Sequence, residues 1–468
     1  MPATDPSRSR LGNRLGPLAE ELAEAVGASH VVADPDVTAR YRTDWTGRHG
    51  GYRALVVRPG SATEVAAVLG ATAARGIAVV AQGGNTGLVG GSVPGGNDVV
   101  ILSTERLDVV EDLDAVTGRV TAGAGVTLAA LSEALDGSGW RYAVDLGARD
   151  SATIGGTIAT NAGGMRVFRH GSTRAQVLGL EYVTADGAIT TRLGGLTKDN
   201  TGYDLAGLIC GSEGTLAIVT RARLRLVPDP PHRATAMLGF ATRPAAFAAA
   251  WALRRSCPSV EVVEYLSRAC VDVVATDAGL ARPVPGAAVL LVEAAADSDP
   301  SDDLAEAIAA LPEAPDDVAV AASATQRAAM WRLRDDLTTT LARRGRVLKL
   351  DVSIPSDRVG DVVADAEALV AALAPGAACW WFGHVCDDNL HLNLTELPGP
   401  GEAVDELEDR LLALVAAHGG SISAEHGIGR TKARQLHRAR SAAEIAQMRA
   451  VKAALDPDGL LNPGVILR

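Results

Sequence analysis

Apolar and polar positions along this chain recur with more than one period, and each period forecasts a different element. Over Asn389–Thr395 the two classes alternate strictly, so a strand there aims Asn389, His391, Asn393 and Thr395 to one side and Leu390, Leu392 and Leu394 to the other. Helical patterns cover Ala62 to Arg75, Gln326 to Arg344 and Glu402 to His418. From Leu55 to about Val227 short apolar runs alternate with glycine-rich turns and helical stretches, the texture of an α/β or α+β domain. The stretch Val227, Pro228, Asp229, Pro230, Pro231 can continue neither a helix nor a central strand and is the best boundary available. Beyond it, Ala-rich helices and strand candidates (AVLLVEAA, RVLKLDVSIP, CWWFGHV, NLHLNLTE) suggest a mixed second domain.

A chain of 468 residues exceeds what one hydrophobic core usually serves. No apolar run approaches the roughly 18 residues that cross a bilayer. The net charge of -12 repels phosphate backbones, and no basic block overrides it, so nucleic acid is not expected as a partner. Five cysteines, Cys210, Cys257, Cys270, Cys379 and Cys386, lack close pairing and read as reduced thiols of a cytoplasmic protein. The first residues carry no secretory core segment, although an organellar leader is a second reading. Only four lysines stand among 44 basic residues, so Lys349, inside a strand candidate, asks for an explanation.

Three glycine clusters could serve anions. Gly83, Gly84, Gly87, Gly90 and Gly91 follow the apolar run Ile77 to Val80, Gly155, Gly156, Gly163 and Gly164 lie within Asp145 to Gly164, and Gly211 and Gly214 precede Leu216 to Thr220. Such loops let backbone amides approach a pyrophosphate, though each alone is equally an ordinary turn. Neither a dinucleotide fingerprint nor a phosphate loop ending in Gly-Lys-Ser/Thr is present.

His384 and His391 lie seven residues apart across a turn at Cys386 to Asp388, compatible with two imidazoles converging from neighbouring strand ends. With Glu425 from the loop Ser421 to Gly429 they would suit a zinc-like divalent ion, and His426 beside it would be a base. The competing reading is of satisfied polar residues. On the helix Gln326 to Arg344, Arg334 and Thr338 are four apart and share a face, and with Lys349 they could hold a carboxylate. A solvated arginine and a structural salt bridge are the alternative.

The ordered motifs QGGNTGLVGGSVP, DLGA, SATIGGTIATNAGG, KDNTGYDL and GSEGTLAIVT resemble the FAD-binding domain of the vanillyl-alcohol oxidase and p-cresol methylhydroxylase flavoprotein superfamily. FGHVCDDNLHLNLTE, SISAEHGIGRTKA and ALDPDGLLNPG resemble its D-2-hydroxyglutarate and D-lactate dehydrogenase branch, so the resemblance spans Asp44 to Pro463. It implies an α+β fold: a two-subdomain FAD-binding domain of the p-cresol methylhydroxylase type, an α+β substrate (cap) domain with an antiparallel sheet, and a C-terminal helical segment. The expected division is 1–50 helical, 51–228 FAD-binding, 229–420 substrate domain with the metal-ligand strand, and 421–468 completing the active site and FAD domain.

By the resemblance, FAD is held non-covalently, since neither His nor Cys lies within Ala81 to Pro94. Its contacts would be Gly83, Gly84, Asn85, Thr86, Gly87, Ser92, Asp145, Gly147, Ser151, Gly155, Gly156, Asn161, Gly163, Gly164, Gly214, Ile218 and Asn462. The metal ligands would be His384, His391 and Glu425, with zinc expected, and His426 the proton acceptor. Arg334, Thr338, Lys349, Asn393 and His426 would contact substrate. Where relatives read Gly-Asp-Gly-Asn this chain has Cys386, Asp387, Asp388 and Asn389; Asp388 can supply the left-handed turn of a glycine, and Cys386 reads as a packed thiol. The implied reaction oxidises a D-2-hydroxy acid, first D-2-hydroxyglutarate, with D-lactate, D-malate or glycolate as rivals. Electrons would pass to an electron-transfer flavoprotein or quinone, or to oxygen in an oxidase, and a homodimer is expected. A non-catalytic FAD-binding subunit is the remaining alternative, against which Glu425 and His426 speak.

Overall fold

The computed structural model of the protein describes residues 14–399 and 401–468. Part of the segment expected to be helical over 1–50 therefore lies outside the described residues; the rest contains the helices Leu15–Val26 and Pro35–Arg42. The first of these buries Leu15, Leu18, Ala19, Leu22 and Val26, one helical stripe of the sequence pattern. The second opens on Pro35, with the Asp34 carboxylate accepting from the amides of Asp36 and Val37.

The chain divides into two compact units, one of residues 1–163, 171–229 and 426–468, the other of 164–170 and 230–425. In the first unit a four-stranded sheet runs in the order Val31–Val32, Ala54–Val57, Val99–Ser103, Val79–Gln82, parallel among its last three strands. A five-stranded antiparallel sheet runs Val110–Asp114, Arg119–Gly123, Ile218–Arg225, Val177–Val183, Ile189–Arg192. Both feed one apolar core, in which Leu55, Val57 and Leu102 meet Val120, Ala122 and Leu224. The helix Ala62–Ala73 begins where the Ser61 hydroxyl accepts from the Glu64 amide. The chain's last stretch returns to this unit, Leu461 bridging Val79 in parallel.

The second unit is built on a seven-stranded antiparallel sheet, in the order Asp317–Val320, His232–Phe240, Ala288–Ala296, Val260–Ser267, Ala378–Gly383, Asn389–Thr395, Leu348–Ser353. Met237, Leu266, Val289, Leu291 and Phe382 pack from the sheet onto Cys270, Val274, Leu333, Leu337 and Leu341. The strand Asn389–Thr395 lies over the residues its alternation forecast, is buried throughout, and is paired on both edges. The single helix expected over Gln326 to Arg344 is in fact two, Ala324–Asp335 and Leu337–Ala342. At Asp336 ψ opens to −9, which breaks the regular turn even though the Thr340 amide still reaches the Asp336 carbonyl. Periodicity reads which positions face a core, and it is blind to a one-residue change of ψ.

Candidate active site

In the first unit the loop after the strand Val79–Gln82 carries Gly83, Gly84, Asn85, Thr86 and Gly87, all half-buried. Gly84 is required sterically: a Cβ there would sit 1.7 Å from the Ser151 carbonyl oxygen. Two of the glycine clusters noted in the sequence thus close on each other at this point. The Asn85 side chain fixes the loop, donating to the Thr43 carbonyl at 2.8 Å and accepting from the Ser92 hydroxyl at 2.8 Å. The amides of Gly84, Asn85, Thr86 and Gly87 have no acceptor among the described residues. Half-buried, unmatched amides in a glycine-rich loop are what a diphosphate requires.

The other expected cofactor contacts of this unit surround that loop or brace it. Thr153 caps the short helix Ile154–Thr160, which carries Gly155 and Gly156 and ends on Asn161 in the left-handed conformation, φ 50. Asn161 accepts from the Ser172 hydroxyl and the Arg174 amide, both at 2.9 Å. Asp145 pairs with Arg149 at 3.0 Å, and Gly147 and Ser151 are exposed. Gly163 is buried beside them in the chain, whereas Gly164 falls in the second unit. Ile218 opens a strand and is buried. Asn462 spends its whole amide on backbone, accepting from Ala81 N at 2.8 Å and donating to Gly91 O at 3.2 Å and Glu213 O at 2.7 Å. It therefore clamps one strand and two loops together, and Gly214 makes room for it.

In the second unit the candidate metal residues converge. Gly383, at φ 150, ends its strand where a Cβ would lie 2.6 Å from the Asn389 carbonyl oxygen, so the chain turns sharply and His384 emerges. The turn closes through Asp388, left-handed at φ 65, the conformation a glycine would supply. His391 then returns on the adjacent strand. The two rings stand 5.4 Å apart and nearly perpendicular. Their Nε2 atoms lie 3.8 and 3.7 Å from the same oxygen, Glu425 Oε1. A tetrahedral ion with bonds of about 2.0–2.1 Å holds its ligand atoms about 3.4 Å apart, only a few tenths less.

Each Nδ1 faces a buried carboxylate. His384 is hydrogen-bonded to Glu264, and His391 lies 3.5 Å from Asp351. Asp351 in turn accepts from Asn389 Nδ2 at 2.8 Å and from the amides of Ala424 and Glu425 at 3.1 and 2.9 Å, which seats Glu425. Glu425 Oε2 accepts from the Gly164 amide at 2.9 Å. Burial pulls the His384 imidazolium down, but Glu264 and Glu425 together raise it well above its ordinary value. Burial pushes Glu425 up, and hydrogen bonding and charge from His384 outweigh it, holding the carboxyl well below its ordinary range. The negative charge that favours a proton between these groups favours a cation there equally, and carboxylate-backed imidazoles are the usual outer shell of a metal site. Imidazole and carboxylate donors are of the kind a divalent ion takes, and Asp351, His391 and Glu425 each bring a ligand atom within 4.8 Å of the others.

The sequence, with its family resemblance, singled out His384, His391 and Glu425 but not Glu264 and Asp351. A signal existed: both are acids inside largely apolar strands, VEVVEYLS and LKLDVS, where an unpartnered charge is not tolerated. His426 follows Glu425 directly but falls in the first unit, half-buried. Its loop is anchored there by Glu213, whose carboxylate accepts from the amides of Ile428 and Gly429 at 2.8 Å each.

The substrate candidates lie along one strand face and beside it. Asn393 stands opposite Lys349, two residues along from the opposed pair His391 and Asp351. Directly opposed residues share a face, so an amide and an ammonium lie about 7 Å along the strand from the imidazole and carboxylate. Burial lowers Lys349 to about 8. Arg334 Nε donates to Glu264 at 2.5 Å and its guanidinium stacks 5.0 Å over the Phe382 ring. Thr338 sits half-buried on the following short helix. Cys386 is a packed thiol, donating to the Ala250 carbonyl at 3.4 Å.

A glycine loop with unmatched amides and an imidazole–carboxylate set backed by acids define a flavin-linked oxidoreductase, and comparison with known proteins supports that class. Residues 53–192 match the FAD binding domain family and 229–466 match FAD linked oxidases, C-terminal domain. The chain belongs to this FAD-linked oxidase family and is an FAD-dependent oxidoreductase. It is 37% identical to the mitochondrial D-2-hydroxyglutarate dehydrogenase of Bos taurus, over 94% of this chain and 81% of that protein. It is 39% identical to the D-2-hydroxyglutarate dehydrogenase of Xanthomonas citri pv. viticola, over 95% of each. In fold it is similar to p-cresol methylhydroxylase, with a TM-score of 0.78 at 16% identity over 97% of each chain. It is also similar to 4-ethylphenol oxidase from Gulosibacter chungangensis, with a TM-score of 0.77 at 18% identity over 97% of each.

Proposed function

We propose that the protein oxidises D-2-hydroxyglutarate to 2-oxoglutarate. The observation that carries this reading is the paired rung of the second unit's sheet: Lys349 and Asn393 beside His391 and Asp351. A diacid anchored by its hydroxyl and near carboxylate at the imidazole rung can reach the ammonium rung with its far carboxylate. Lactate and glycolate, with one carboxylate, have no second one to place at the Lys349 rung. The names of the relatives agree with this choice.

His384, His391 and Glu425 would hold the divalent ion, zinc by donor type, with Glu264 and Asp351 fixing the two imidazoles. When bound, the ion supplies Lewis acidity at the substrate hydroxyl, and FAD supplies the hydride acceptor. The substrate carbon loses a hydride, its hydroxyl loses a proton, and a carbonyl remains. We assign the proton to an imidazole nitrogen of His426, one peptide bond from Glu425. Arg334 and Thr338 would receive a carboxylate, Arg334 through the terminal amino groups that its bond to Glu264 leaves available. Reoxidation would fall to an electron-transfer flavoprotein or a quinone.

The test is anaerobic reduction of the bound flavin by a panel of D- and L-forms of 2-hydroxyglutarate, malate and lactate, together with glycolate. Bleaching fastest with D-2-hydroxyglutarate supports the reading. Bleaching by lactate alone moves the assignment to a monoacid, and none by any hydroxy acid abandons it in favour of a non-catalytic subunit.

A further inference from the structure

Glu264 lies in Val260–Ser267, a strand whose every residue is buried, and is itself fully inaccessible. A carboxylate in such a place costs several kcal/mol unless its charge is met. It is met twice. Oε1 binds His384 Nδ1 and Oε2 binds Arg334 Nε, one donor on each oxygen. The arrangement closes into a circuit. Arg334 stacks on Phe382, the Phe382 ring lies 5.0 Å from that of His391, and His391 faces His384 across Glu425.

We propose that Glu264 is a positioning residue that couples cation binding at His384 to anion binding at Arg334. One oxygen holds His384 with its proton on Nδ1, so that Nε2 is a lone-pair donor aimed at the ion. The other orients the guanidinium so that its remaining donors point in a fixed direction beside the same ion. A carboxylate alone among side chains presents two acceptors and no donor in one plane, so two N–H groups can both be satisfied. The anion half rests on the reading that Arg334 receives a substrate carboxylate, and the cation half is independent of it.

Glu264→Gln tests this at constant shape, because glutamine keeps one acceptor oxygen and no charge, so that of His384 and Arg334 one meets an amide N–H and the other only a neutral acceptor, and both contacts weaken. Metal-stripped protein is titrated with Zn²⁺ against a competing chromophoric chelator, and KM and kcat are measured separately. The dissociation constant for Zn²⁺ should rise roughly 10- to 100-fold. KM for D-2-hydroxyglutarate should rise roughly tenfold, as for one lost charge-assisted hydrogen bond, with FAD content unchanged. In an Arg334→Gln background the substitution should raise KM no further, while still weakening Zn²⁺. Zn²⁺ binding within twofold of the parent overturns the cation half, and an unchanged KM overturns the anion half. If Glu264→Gln does not fold, histidine-labelled parent protein decides: the ¹⁵N spectrum must place the His384 proton on Nδ1, and a proton on Nε2 overturns the proposal. If no hydroxy acid reduces the parent's flavin, the substrate reading fails, yet the Zn²⁺ titration still reports on Glu264.

Discussion

Among individual residues, burial sets which charges are available at neutral pH. Lys349, lowered to about 8 by burial, is protonated below that value and loses its charge as the pH rises through it. KM for a diacid is therefore expected to climb between pH 7 and 9, and Lys349→Arg, which keeps its charge throughout, should flatten the climb. A steady-state pH profile checks this; a parent profile flat over the same range refutes it. His426→Ala should slow flavin reduction by about 10²- to 10⁴-fold while FAD remains bound, as read by stopped-flow absorbance. His384 and His391 could be read from local spacing, whereas Glu425, from a separate loop, and Asp388, where relatives carry glycine, drew their weight from the family resemblance. Glu264 and Asp351 could not be read that way, because their partners lie 120 and 40 positions further along the chain and meet them only when the strands pair.

Between elements, steric fit is the stronger constraint. Gly84→Ala would press a methyl group into the Ser151 carbonyl oxygen, at a separation no packing tolerates. The loop must move, at a cost of about 1–3 kcal/mol, and the purified variant should carry little flavin. Retention of full flavin content with unchanged urea unfolding would contradict the close approach. The same scale shows how far periodicity reaches. It located the strand Asn389–Thr395 and the helix Ala62–Ala73, whose patterns are long and regular. It ran the helix from Gln326 straight through Asp336, because the apolar stripe continues across the break in Leu333, Leu337 and Leu341. Sheet order was beyond it, since Leu348–Ser353 pairs with Asn389–Thr395 across an intervening helix and a further strand of the same sheet.

For the whole molecule, ligands contribute to stability as well as to chemistry. If His384, His391 and Glu425 hold the ion as proposed, with Glu264 and Asp351 behind the imidazoles, the second unit's melting should depend on metal. With free zinc at about 100 times its dissociation constant the gain is about 2.7 kcal/mol over chelated protein, visible by calorimetry. Identical melting with and without chelator would remove the metal from the account. No helix among the described residues is long and apolar enough to cross a membrane.

The bridge between Leu461 and Val79, with the Asn462 clamp beside it, has a consequence for biosynthesis. Those contacts join positions separated by some 380 residues, so on the ribosome the flavin-binding unit must wait, its sheet edge open, until almost all of the chain has emerged. The second unit, continuous in sequence apart from residues 164–170, has no such delay. Pulse-labelled chains arrested before Leu461 should thus resist protease over 230–425 earlier than over 51–163, and nascent protein is most exposed to chaperones during that interval.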